Sequence, residues 1–249
     1  MTEPTILLLH FFGGSGDTWT ETVAELTARG FPCLAPDLRG FGENRAADVS
    51  FAANVSDVRA VCESLGDAPV ILAGHSMSGK IALAVAGTVP PANVVGLVLI
   101  AASPPTPEPI ADDERKRLLA SAGDRAATEV TLSQITATPL PEPLRERFLR
   151  DSLRVQPEAW REWLTVGSKQ DISASLTPVT IPALVVVGAE DSGMTAELME
   201  AEVLPHLLNA VPIITIADAA HLVPLEQPAR LAEAIALWWD EASKIEHQT

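Results

Sequence analysis

The sequence predicts an α/β fold, in which about six mainly parallel strands are flanked by helices and an all-helical segment is inserted. Two observations carry this prediction. Apolar runs of strand length alternate with segments of helical character, a pattern typical of parallel strands joined by helical crossovers. The alternation stops at residue 104 and resumes near residue 181, and no convincing strand lies between these positions.

Four of the predicted strands lie in the first part of the chain. They are residues 5–9, 31–35, 69–73 and 94–100. Continuous apolar runs of this length are typical of strands that are buried on both faces of a sheet. Helices are predicted for residues 17–29, where Gly30 is the stop signal, and for residues 51–65.

The residues around Ser76 predict a sharp corner between a strand and a helix. The apolar run 70–73 reaches Gly74, and an Ala- and Leu-rich segment follows the corner. A residue in such a strained turn needs small residues two positions before and after it, and Gly74 and Ser78 meet this requirement. This pattern is typical of a nucleophile elbow, although Ser78 stands where the last glycine of Gly-x-Ser-x-Gly is usual.

Residues 104–180 are predicted to form an inserted helical cap. A proline-rich start is followed by helical stretches near residues 112–122, 126–135, 142–153 and 157–166. Structureless loops beyond ~15 residues are uncommon in compact domains, which favours a folded insertion. The core domain then consists of residues 1–103 and 181–249. Its second part is expected to hold a strand at 182–187, a helix at 195–207, a strand at 211–216 and a helix at 228–242.

Composition limits the partners of the protein. The 249 residues carry a formal net charge of −16, which argues against nucleic acid or an anionic membrane surface, because both are polyanions. No apolar run approaches the ~20 residues of a membrane span, and the first residues lack the basic start of a signal peptide. We therefore expect a soluble, cytoplasmic protein. Cys33 and Cys62 are too few for a disulfide framework and are interpreted as buried free thiols.

Polar residues that directly follow strands are the candidate partners of Ser76, since open α/β sheets hold their chemistry at the carboxyl ends of strands. Asp191 follows the strand at 182–187, and His221 follows the last strand. We expect His221 to take the proton of Ser76 and Asp191 to fix the tautomer of the imidazole. Glu190 is expected to point away from His221, and Asp218 is expected to form a turn.

A tetrahedral intermediate on Ser76 requires N–H donors for its negative charge. The backbone N–H of Met77 is one candidate, because it follows the nucleophile. The second candidate is the backbone N–H of Phe12 in the loop after the first strand. His10 is expected to shape this loop rather than to react.

At this point the sequence resembles the α/β-hydrolase superfamily over nearly its whole length. The motifs that carry the resemblance are HFFGG at 10–14, DLRGFG at 37–42, GHSMSG at 74–79, GAED at 188–191 and HLVPLEQP at 221–228. The resemblance implies that Ser76, Asp191 and His221 form a catalytic triad, and that Met77 and Phe12 supply the oxyanion hole.

Two features qualify this resemblance. Phe11 replaces the glycine that usually follows the histidine of the first loop, which narrows the floor of the pocket or tilts the loop. Asp37, Arg39 and Glu226 belong to motifs but are interpreted as structural residues that hold turns near the site and anchor the loop of His221.

The identity of the nucleophile restricts the reaction. Haloalkane dehalogenases and epoxide hydrolases resemble this chain but use an aspartate at the elbow, so Ser76 argues against both. Carboxylesterase-like hydrolysis of small to medium esters, through an acyl-enzyme on Ser76, is the leading hypothesis. Lactone hydrolysis, carbon–carbon bond hydrolysis, perhydrolysis and acyl transfer on the same triad remain open. A non-catalytic protein that binds a ligand in the same fold is the alternative from another class.

An apolar pocket is expected for the acyl group. Its candidate substrate-binding residues are Trp160 and Trp163 from the cap and Phe11 and Leu222 from the core. A Trp-x-x-Trp spacing on one helix face is also typical of packing within the cap. Neither a metal nor a cofactor is expected, and a homodimer is left open.

Overall fold

The computed structural model describes residues 3–209 and 213–245. Within these residues, six parallel strands form one sheet in the order β2-β1-β3-β4-β5-β6, which confirms the predicted fold class. The strands are β1 (Thr5–Leu9), β2 (Cys33–Leu34), β3 (Val70–His75), β4 (Val94–Ile100), β5 (Ala183–Gly188) and β6 (Ile214–Ile216). Of the strand predicted at 211–216, residues 211 and 212 lie outside the described residues.

Helices connect the strands as the alternation predicts. The core helices are α1 (Thr20–Ala28), α2 (Phe51–Ser64), α3 (Met77–Ala86), α8 (Ala196–Leu198), α9 (Val223–Glu226) and α10 (Pro228–Ile245). Between β4 and β5 lie α4 (Asp112–Ala120), α5 (Arg125–Ile135), α6 (Glu142–Leu153) and α7 (Pro157–Thr165).

The helix predicted at 195–207 is the clearest departure from the expected elements. After α8 the chain continues as a π-helical turn, Met199–Val203, and a 3₁₀ turn, Leu204–His206. Pro205 lies in the second turn, where its ring and its missing N–H prevent regular α-helical hydrogen bonding. A regular α-helix over this whole range was therefore the wrong prediction.

Both faces of the sheet are buried, because alternate residues of each strand enter different apolar clusters. Leu7 and Leu72 belong to one cluster, on which α2 and α3 pack. Ile6 and Ile71 belong to the other, which includes residues of α1 and α10. A third, smaller cluster joins Phe11 of the loop after β1 to residues of α5, α6 and the loop of His221.

The order of the strands determines where a site can form. The chain passes from β1 to β2 on one side and then to β3 on the other side of β1. A ligand site is expected at such a reversal, outside the carboxyl ends of the strands. The loops after β1, β3, β5 and β6 all begin at these carboxyl ends.

The two cysteines differ in burial. Cys62 in α2 is fully buried, but Cys33 is only half-buried, since β2 is an edge strand of the sheet. Burial raises the pKa of each thiol to about 11. Among the residues that the structure describes, no helix combines the length and apolarity needed to cross a membrane.

Candidate active site

Ser76 occupies a strained corner between β3 and α3. Its backbone has φ 55° and ψ −118°, in a region that residues other than glycine rarely adopt. The neighbouring glycines are required for the close approach of strand and helix. A Cβ on Gly74 would lie 2.3 Å from the carbonyl oxygen of Ser78, and a Cβ on Gly79 would lie 2.4 Å from the Cβ of Ala102.

Ser78 does more than fit a narrow space. Its hydroxyl lies 2.7 Å from the backbone oxygens of both Leu9 and His10, and 3.0 Å from that of His75. It also accepts a hydrogen bond of 3.2 Å from the backbone N–H of His75. The serine that replaces the usual glycine therefore connects the loop after β1 to the elbow. The sequence indicated only that a small residue was needed here.

The side chains of Ser76, His221 and Asp191 form a hydrogen-bonded chain. The Oγ of Ser76 lies 2.9 Å from Nε2 of His221, and Nδ1 of His221 lies 2.8 Å from Oδ2 of Asp191. An ionised carboxylate only accepts hydrogen bonds, so Nδ1 carries the proton. In the neutral imidazole, Nε2 is then the acceptor that faces the hydroxyl of Ser76.

The charges of Asp191 and His221 stabilise this arrangement. Burial alone would raise the pKa of Asp191, but the hydrogen bond and charge of His221, with the N–H groups of Met194 and Gly193, lower it to about 2. Burial disfavours the charged imidazole, but the hydrogen bond to Asp191, together with the negative charges of Asp191 and of ionised Glu108 and Glu226, outweighs this effect and raises the pKa of His221. An ionised acid thus supports an imidazole of increased basicity.

The two other acids considered as partners of His221 have different contacts. Glu190 accepts a hydrogen bond of 3.0 Å from the backbone N–H of Ala219. Asp218 lies in an exposed turn with φ 60° and pairs with Arg230 at 3.3 Å. Among the described residues, Asp191 is the acid whose carboxylate contacts the ring of His221.

Glu226, Asp37 and Arg39 hold loops around the site, as predicted from the motifs that contain them. Glu226 accepts hydrogen bonds from the N–H groups of Ala137 at 2.6 Å and Ala220 at 2.9 Å, and so anchors the loop that contains His221. Asp37 accepts from the N–H of Gly16 at 2.7 Å. Arg39 pairs with an aspartate of α2, Asp57, at 2.6 Å.

The two candidate oxyanion donors lie on either side of the corner. Within the described residues, the backbone N–H groups of Met77 and Phe12 donate to no other protein group. His10 donates from Nδ1 to the backbone oxygen of Phe11 at 2.9 Å and accepts from the N–H of Leu38 at 3.0 Å. Because the C=O and N–H of a trans peptide point in opposite directions, this bond also orients the N–H of Phe12.

A cavity of about 430 Å³ adjoins Ser76. Its lining includes Phe11, Phe12, Ser76, Glu108, Trp163 and His221. Trp160 and Leu222 are not part of this lining in the described structure. Trp160 packs on Phe12, with ring centroids 4.4 Å apart, and Leu222 is buried in the third apolar cluster.

Two polar residues near the cavity were not anticipated. Glu108 lines it from the proline-rich segment after β4, where no sequence pattern marks a single glutamate as important. Lys80 is fully buried in α3. A lone charge in an otherwise apolar helix was the available signal for Lys80. No group of three or more potential metal ligands occurs among residues 3–209 and 213–245.

The sequence model of the alpha/beta hydrolase family matches residues 6–234. The chain belongs to this family. This member of the family is similar to the solved structure of a thermophilic esterase from Thermogutta terrifontis with malate bound. The identity is 26%, the TM-score is 0.78, and the match covers 97% of this chain and 91% of the other.

Curated relatives match a shorter part of this chain. Lipase LipV of Mycobacterium tuberculosis is 35% identical over 96 residues, which are 38% of this chain and 36% of LipV. The magnesium-chelatase 30 kDa subunit of Rhodobacter capsulatus is 34% identical over 97 residues, which are 38% of this chain and 34% of the subunit. The matched part thus spans about a third of the length of each of these two relatives.

Proposed function

We propose that the protein is a serine hydrolase that cleaves small to medium carboxylic esters. The observation that carries this proposal is the hydrogen-bonded chain from Ser76 through His221 to Asp191, with bonds of 2.9 and 2.8 Å, at the mouth of a cavity. The similarity to an esterase and a lipase supports the same class of reaction.

The contacts support a role for each residue in this reaction. Nε2 of His221 takes the proton of the Ser76 hydroxyl while Oγ attacks the ester carbonyl, and the backbone N–H groups of Met77 and Phe12 stabilise the resulting oxyanion. The imidazolium then gives its proton to the leaving alcohol, and an acyl group remains on Ser76. Nε2 of His221 then takes a proton from water, which attacks the acyl carbonyl. The imidazolium returns this proton to Oγ of Ser76 as the acyl–oxygen bond breaks, and the acid and the free serine are released.

The size of the cavity supports a small to medium acyl group. Its volume of about 430 Å³ lies at the lower end of small-molecule sites, and Phe11, Phe12 and Trp163 supply aromatic surface. We propose that α4–α7 act as the cap of this site, since α7 contributes Trp163 to the lining. Short acyl chains should therefore be preferred over long ones.

A fluorophosphonate probe and a series of p-nitrophenyl esters of increasing chain length test the proposal. We expect covalent labelling at Ser76 and hydrolysis that is fastest for short chains. Both should disappear in Ser76→Ala and persist in the control Ser133→Ala, which removes an exposed hydroxyl of α5. Ester turnover that survives in Ser76→Ala contradicts the mechanism, and wild-type protein without labelling or turnover favours a non-catalytic binding protein.

A further inference from the structure

Glu108 is a buried carboxyl group in the same cavity as Ser76. Its exposed fraction is 7%, and it follows β4 in the segment that leads to α4. The backbone at this position is held on both sides. Its N–H donates to the backbone oxygen of Ser168 at 2.8 Å, and its own oxygen accepts from the N–H of Ile110 at 2.8 Å. These bonds hold the backbone from which the side chain of Glu108 enters the cavity that Ser76 also lines.

A single residue links Glu108 to the elbow. The backbone N–H of Ser103 donates to the backbone oxygen of Ser76 at 3.0 Å, and the hydroxyl of Ser103 donates to Oε1 of Glu108. Oε2 of Glu108 has no hydrogen-bond partner among the described residues. One carboxyl oxygen is thus used by the protein, and the other is free for a ligand of the cavity.

The nearby cations are engaged elsewhere. Lys80 of α3 donates from Nζ to the backbone oxygens of Thr106, at 3.1 Å, and Gln170. Arg115 of α4 donates to the backbone oxygen of Leu164 and, at 2.6 Å, to the hydroxyl of Ser168. In the described part of the chain, neither cation forms an ion pair with Glu108.

The charge state of Glu108 follows from these surroundings. Burial raises the pKa of Glu108, while the hydrogen bond from Ser103 and the charges of Lys80, His221 and Arg115 act in the opposite direction and are outweighed. A buried carboxyl group without a paired cation is favoured in its neutral form. Asp191, in the same cavity, is shifted the other way, and such pairs of separated acids occur at sites where each has a distinct role.

We propose that Glu108 is a specificity residue whose neutral carboxyl group donates a hydrogen bond to an uncharged oxygen acceptor of the substrate, such as an ether or carbonyl oxygen beyond the scissile ester. The proposal rests on the ester hydrolysis proposed above and names a substrate class for it. A carboxylic acid that accepts from Ser103 through one oxygen retains one O–H to donate. Esters that carry a further acceptor oxygen close to the scissile bond should therefore be preferred over purely alkyl esters.

Matched esters that differ in one oxygen atom test this inference. In the acyl half, p-nitrophenyl 3-methoxypropanoate is compared with p-nitrophenyl pentanoate. In the alcohol half, 2-methoxyethyl acetate is compared with butyl acetate. The ratio of kcat/KM within a pair reports the added contact, because the titration of His221 is common to both members and cancels.

In at least one pair we expect the oxygen-containing ester to be preferred about three- to tenfold, the effect of one hydrogen bond. Glu108→Met should abolish the preference, whereas Glu108→Gln, which keeps an N–H donor, should retain it. The control Glu142→Gln removes an exposed carboxylate of α6 that pairs with Arg145 at 3.3 Å and does not line the cavity, and it should leave the ratio unchanged.

The pH dependence separates a neutral acid from a charged one. As pH rises and Glu108 loses its proton, the wild-type preference should decline, while that of Glu108→Gln should stay constant. This comparison still decides the matter if Glu108→Met does not fold.

Three results would overturn the inference. The first is a ratio near one in both pairs, and the second is a ratio that Glu108→Met leaves unchanged. The third is a p-nitrophenyl ester with a trimethylammonium group that is preferred over the ether-containing ester. Labelling of Ser76 with a fluorophosphonate in the same samples identifies where a failure lies. Labelled protein without the preference contradicts only the role of Glu108. Protein that is neither labelled nor active contradicts the proposed hydrolysis, and the role of Glu108 with it.

Discussion

The side chain of His75 holds the main chain of His221, since its Nε2 lies 2.7 Å from the backbone oxygen of His221. A carbonyl oxygen only accepts hydrogen bonds, so Nε2 of His75 carries a proton. Burial, together with the charge of His221, lowers the pKa of His75 to about 3, which keeps its ring neutral. The residue before the nucleophile thereby positions the proposed base.

Replacement of His75 should disturb catalysis more than folding. In His75→Phe the donor is lost, and a displaced His221 should lower kcat by about 10- to 100-fold, because small misplacements of reacting groups are costly. His75→Gln can still donate and should recover part of the activity. Steady-state kinetics and thermal unfolding of both variants check this prediction. Equal activity of the wild type and His75→Phe would contradict it.

Asp191 should be the acid on which turnover depends. Asp191→Asn leaves the shape of the site nearly unchanged but favours the wrong tautomer of His221, and we expect kcat to fall by about 10⁴. Asp218→Asn is the matched control, because Asp218 is exposed and pairs with Arg230. Ester hydrolysis measured for both variants checks the assignment. A large loss in Asp218→Asn alone would show that the acid was misassigned.

The pH profile should report the titration of His221. The imidazole accepts the proton of Ser76 only when neutral, so kcat/KM should rise with pH through the pKa of His221. Asp191 raises this pKa from 6.5, and the midpoint should therefore lie above 6.5. In Asp191→Asn the raising interaction is lost while burial remains, and the midpoint should move to lower pH. An upward movement would contradict the assigned interaction.

Removal of the Ser78 hydroxyl should lower stability. Ser78→Ala removes the one O–H that is shared among the backbone oxygens of Leu9, His10 and His75, and the acceptor of the His75 N–H, and should cost about 1 to 3 kcal/mol, because these buried polar groups lose a partner. Ser78→Gly restores the usual residue but adds backbone freedom, and should cost up to about 1 kcal/mol more than Ser78→Ala. Urea unfolding of the three proteins measures these differences. Unchanged midpoints would mean that the contacts contribute nothing.

The alternation of apolar runs and helices predicted the strands of the sheet, because both faces of the sheet are buried and its strands are continuous apolar runs. The helices α4–α7 were predicted to within a few residues of their ends. The irregular turns after α8 were not predicted, since local periodicity persists through Met199–Val203 although the hydrogen bonding changes. The length of β2 was overestimated: residues 31–35 were predicted, and the strand is Cys33–Leu34. An edge strand extends only as far as its pairing with one neighbour, and the sequence does not identify that neighbour.

Ser76, Asp191 and His221 could be proposed from the sequence because each lies just beyond a strand end, and chain order decides which strand ends meet. Glu108 and Ser78 could not. Glu108 is brought to the cavity by contacts with Ser103 and Ser168, which lie in different segments of the chain. The contacts of Ser78 reach back to the first strand, and no local pattern records them.

The hydroxyl of Ser78 has a consequence for the engineering of this scaffold. Its O–H faces the backbone oxygens of Leu9 and His10, so it helps to fix the position of the first loop relative to the elbow. A chimera with the first loop of a relative that has glycine at position 78 would combine that loop with an elbow that carries a serine there. Directed evolution of the pocket floor should therefore vary position 78 together with Phe11 and Phe12, and loop exchanges should carry both segments from the same parent.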